Sequence, residues 1–117
     1  MPDFNDYDEL NQLVKDNGDV LSVTMFALRN AHGADRLGSI VRDNISKKLK
    51  GFGLSHYPPE LPASQSDHAV IFRLGTPVSG LIRAVIKPSP DTDDLIRNAV
   101  ESNEKNTLDK IRELLEI

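Results

Sequence analysis

The chain contains no cysteine and no tryptophan, and four phenylalanines with two tyrosines make up its whole aromatic content. Without cysteine, disulfide scaffolds, thiolate zinc sites and cysteine nucleophiles are excluded. With so few rings, the core must come from Leu, Ile and Val, which suits short helices with some strand. Apolar runs are only a few residues long, far short of the roughly 20 that a membrane span needs. Met1 is followed by acidic and polar residues rather than a basic start and an apolar stretch, so no secretory signal is readable and a soluble, cytoplasmic protein is expected. None of His32, His56 and His68 sits in a zinc-binding helical pattern such as H-E-x-x-H, and no Gly-Lys-Ser/Thr follows the glycines. Ser64-Gln65-Ser66-Asp67-His68 holds serine, acid and histidine, but neighbours in sequence do not form a triad. The residues therefore point to no catalytic group, metal or cofactor, and no enzyme is expected.

What the chain does have is charge sorted by position. The net charge is −4, yet residues 23–88 hold nine Lys/Arg against four Asp/Glu. Residues 1–22 hold one against six, and residues 89–117 hold four against eight. A phosphate meets the local field within a Debye length of about 8 Å, so the basic middle matters more than the acidic total.

Hydropathy spacing predicts the elements in order. Phe4, Tyr7, Leu10, Leu13 and Val14 describe an amphipathic helix over residues 3–16, closed at Asn17-Gly18. Val20 to Val23 reads as a short strand, and Thr24 caps a helix from Met25 to His32 that Gly33 stops. Asp35 is the expected cap of a third helix running to Lys50, with Leu37, Val41, Ile45, Leu49 and Phe52 in one sector. Arg36, Asp43, Lys47 and Lys50 share the opposite side, and Lys48 falls among the apolar positions, where it should snorkel. Residues 54–68 form a loop with a short strand at its start, and Ala69 to Leu74 is the best strand. Thr76 and Pro77 begin a helix through Ile86, although its β-branched content also admits a strand. Residues 91–117 read as one or two helices with apolar clusters at 95–100 and 108–115. The break at Pro88-Ser89-Pro90 divides the chain into 1–88 and an acidic helical extension, 89–117.

The fold class is thus mainly α with a small β element: a winged-helix-like core plus a C-terminal helix or helix pair. In that order of elements the third helix enters the DNA major groove and a loop between strands touches the backbone. The expected nucleic-acid contacts are Arg36, Arg42, Lys47, Lys48 and Lys50 around the third helix, with Arg73 beyond the wing. The wing, within Tyr57 to His68, carries Glu60 and Asp67 and no cation. Leu108, Ile111, Leu114 and Leu115 are the expected interface for a second copy or a docking partner.

Thr24 to Leu28, Gly33-Ala34-Asp35-Arg36-Leu37-Gly38, Val41, Ile45, Leu49 and Gly53-Leu54 carry a resemblance. This stretch, about residues 22–59, resembles a small bacterial winged-helix-like module found beside restriction-type, defence or regulatory domains. Leu37 stands where that pattern has a second Arg, and the acidic-aromatic segment after its proline is not reproduced. The resemblance implies a DNA-binding regulator or accessory protein. The competing expectation is a protein-interaction module on the same fold, its basic face meeting an acidic protein while the acidic ends fold back.

Overall fold

A computed structural model describes residues 4–86 and positions 90, 94, 97–98, 109, 111–113 and 115. Asp6 opens helix α1 (Tyr7–Asp16), its carboxylate accepting the Glu9 N–H at 2.8 Å. The helix therefore starts later than the spacing predicted, and Phe4 is buried ahead of it. The chain leaves α1 through Gly18 and Asp19, at φ +74° and +69°. Asp tolerates this left-handed conformation better than most residues, because its short polar side chain bonds locally. Strand β1 (Val20–Thr24) follows at once, and Thr24 caps α2 (Met25–His32) by accepting the Ala27 N–H at 3.1 Å. Gly33, at φ +77°, ends α2 as the sequence indicates.

Helix α3 (Ser39–Gly51) corrects an expectation. Asp35 does not cap it; Gly38 precedes its first turn and offers no side-chain bond. Glycine resists helix by about 1 kcal/mol relative to alanine, so residues 36–38 stay outside the rod. Leu37 still packs against the core, but from the approach to the helix. Strands β2 (Leu54–Tyr57) and β3 (His68–Arg73) and helix α4 (Pro77–Ile86) complete the order. Helices dominate.

The three strands form one antiparallel sheet in the order β1-β3-β2, with Leu21 opposite Ile71 and His56 opposite Ile71 on the other side. Alternation along the strands puts Leu21, Val23, Ala69, Ile71 and Leu54 on the face that meets the helices. Leu10 and Val14 of α1, Met25 and Leu28 of α2, and Ile45 and Leu49 of α3 fill that core. At about 1.5–3 kcal/mol per fully buried aliphatic side chain, this cluster is the main source of stability in the unit.

The chain splits into two compact units, Met1–Leu74 and Gly75–Ile117, and α4 lies in the second. In that second unit Thr76 and Pro77 start α4 as expected, and Val78, Leu81, Ile82 and Ala84 are buried. Among the described residues, no helix is long and apolar enough to cross a membrane.

Candidate nucleic-acid interface

Ile45 and Leu49 anchor one side of α3 completely, which turns the opposite side outward. Ile40, Asp43, Asn44, Lys47, Lys48 and Lys50 are all exposed. Ile40, Asn44 and Lys47 follow one another at spacings of four and three, so they share a line along the rod. Lys48, at the edge of the apolar sector, is exposed. Arg36 is exposed too, but it precedes the helix instead of riding on it. Lys47 lies 3.3 Å from Asp43 with both side chains about 70% exposed (74% and 67%). Such a pair is worth little in water, and it leaves the lysine free to exchange partners.

Two of the six expected contact residues are committed elsewhere. Arg42 donates from Nε to the Leu37 carbonyl at 3.1 Å and from Nη1 to the Leu61 carbonyl at 3.0 Å. It braces the turn before α3 and the loop after β2, because those two carbonyls have no ladder to join. Arg73 donates to Asp19 Oδ1 and to the Asn11 carbonyl, both at 3.1 Å. That cation ties the end of β3 to the exit of α1. Neither guanidinium stands beside the lysines of α3 as an open contact.

The loop at 58–67 is tied to α2. The Asp67 carbonyl accepts the Met25 N–H at 2.8 Å, and the Gln65 carbonyl accepts the Phe26 N–H at 2.9 Å. Gln65 Oε1 also takes a bond from Arg29 at 3.0 Å. The loop therefore satisfies the first amides of α2, which have no partner inside their own helix. A segment with that task is held against the domain, and its charge is negative at Glu60 and Asp67. Between this loop and α3 lies a cleft of about 270 Å³ lined in part by Arg42, Asp43, Ser46 and Glu60. Its charge is mixed, so it is not an anion cradle.

Of the four residues expected at an interface in the tail, Ile111 is fully buried in the single chain, at 0% exposure. Leu115 is partly buried, and Leu108 and Leu114 lie outside the described residues. An apolar stripe read from sequence has no way to announce whether its cover is intramolecular.

Sequence reasoning missed Ile40 and Asn44. A wheel read for charge passes over them, although both fall on the open side whether the helix starts at Asp35 or at Ser39; their exposure is what singles them out. Comparison with family models, with curated proteins and with solved structures gave no match to any of them.

Proposed function

We propose that residues 4–74 act as a winged-helix-like unit that binds duplex DNA through α3. One observation carries this reading: Lys47, Lys48 and Lys50 stand in solvent on a rod whose far side is locked into the core by Ile45 and Leu49. The order α1-β1-α2-α3-β2-β3 and the sheet order β1-β3-β2 support the fold half of the proposal. A helix about 10–12 Å across fits a major groove about 12 Å wide. Because the loop at 58–67 brings no cation, the backbone contacts fall to Arg36 and the three lysines. Pairing of the C-terminal segment is not part of this reading, since Ile111 is buried within one chain.

Four neutralised phosphates give a salt slope of about −3.6. Affinity for a duplex of about 20 base pairs should then fall roughly 100-fold between 50 and 200 mM salt in a fluorescence-anisotropy titration. Replacing Lys47, Lys48 and Lys50 together by Glu should abolish binding while the melting temperature holds. Absence of binding at 50 mM salt would overturn the proposal. A second reading, a protein-interaction module without nucleic acid, draws support from the acidic, cation-free loop. Specific capture of an acidic protein by the same lysine face would select it.

A further inference from the structure

Ile40 is the most exposed large hydrophobic residue among those described, at 76%, against 46% for Phe26 and 44% for Leu74. Phe26 has a partner, since the Arg29 guanidinium lies over its ring at 4.9 Å. Ile40 is absent from the core cluster and from the residues packed against it, so folding does not explain it. It occupies the first turn of α3, with Asn44 one turn further and Lys47 beyond, all three in solvent.

Resting on the DNA reading above, we infer that Ile40 and Asn44 select an A·T-containing site, Ile40 by covering a thymine methyl and Asn44 by pairing with an adenine edge. The argument is chemical. Thymine is the base that shows a methyl group in the major groove, and an aliphatic side chain is its natural contact. Asparagine matches the N6 donor and N7 acceptor of adenine in one planar pair. At 1.5 Å per residue, Ile40 and Asn44 lie about 6 Å apart along the rod, close to two base-pair steps of 3.4 Å. Charge complementarity commits the face to a polyanion, with Lys47, Lys48 and Lys50 beside the two reading residues. Asp43 shares the face and is held 3.3 Å from Lys47. Its carboxylate repels phosphate, which weakens binding to every sequence alike and leaves discrimination to the base edges.

The test uses the full chain and a randomised pool of 20-base-pair duplexes. Sites enriched at 50 mM salt should contain a T and a nearby A in fixed register. Replacing thymines one at a time by deoxyuridine removes only the methyl, and at one position it should weaken binding about fourfold, the worth of one buried methyl group. That loss should vanish in Ile40→Ala, while Asn44→Ala should relax the preference for A by at least about fivefold. Failure to bind the pool at all would defeat the DNA reading. Binding in which every deoxyuridine duplex equals its thymine parent would defeat the role of Ile40 and leave the DNA reading standing. The deoxyuridine series needs only the wild-type chain, so a poorly folded variant does not spoil it.

Discussion

Ser46 on α3 and His56 on β2 are joined by a 2.7 Å hydrogen bond between Oγ and Nε2. The other ring nitrogen, Nδ1, lies 2.8 Å from the Pro58 carbonyl, which can only accept. Nδ1 therefore carries the proton, and the serine hydroxyl donates to Nε2. The neutral ring thus stitches α3 to the strand beside it and to the start of the loop at 58–67.

Burial pushes the His56 pKa below the usual histidine value, with the Pro58 bond opposing that shift. In the unfolded chain the ring takes a proton near pH 6.5, earlier than in the folded one. Stability from this group is complete above about pH 6.5 and falls as pH drops toward the folded pKa. Melting temperature should decline on acidification from pH 7.5 to 5.5, and His56→Gln should flatten the decline. An equal slope in the variant would mean that other groups set it.

Tyr7 works in the opposite sense. Its hydroxyl bonds to His32 Nδ1 at 2.8 Å, and its ring stacks on Phe52 with centroids 5.8 Å apart. Burial pushes its pKa up to about 12. The contribution is complete below about pH 10 and is lost as pH rises from there through 12. Tyrosinate absorbance should show one residue titrating late, and Tyr7→Phe should remove it. The variant should lose about 0.5–1.5 kcal/mol at neutral pH for the missing hydrogen bond. Two tyrosines titrating together at the ordinary value would contradict the burial of Tyr7.

Arg42 and Lys48 look alike in a charge count and should behave differently in denaturation. Arg42→Ala strips donors from the Leu37 and Leu61 carbonyls and should cost about 1–3 kcal/mol. Lys48→Ala, in open solvent, should stay within about 0.5 kcal/mol. Urea midpoints of the two variants decide the matter, and equal midpoints would remove the bracing role of Arg42.

Much of the architecture was legible in the residues. Thr24, Gly33 and Pro77 act within a turn of themselves, so their caps and stops could be read directly. The apolar spacing of Ile45 and Leu49 likewise reports which side faces a core, and the apolar run at 69–72 reports a buried strand. The start of α3 escaped because Asp35 and Gly38 are competing local signals, and the helix begins after the glycine. The strand at 54–57 is barely visible, since a four-residue strand draws its stability from its neighbour β3.

By itself, the sequence determined the order of elements, the caps at Thr24 and Thr76, the apolar faces and the position of the basic segment. All of these follow from interactions between residues a few places apart. Only the tertiary structure decided which of the expected contact cations stay in solvent. Arg42 and Arg73 reach carbonyls 19 and 62 residues away, whereas Lys47, Lys48 and Lys50 remain in solvent. It also decided that the loop at 58–67 caps α2 and that Ile111 is covered within one chain. Charge and hydropathy are properties of a residue, but availability belongs to the folded surroundings, because a long side chain goes to whichever unpaired partner the fold brings near.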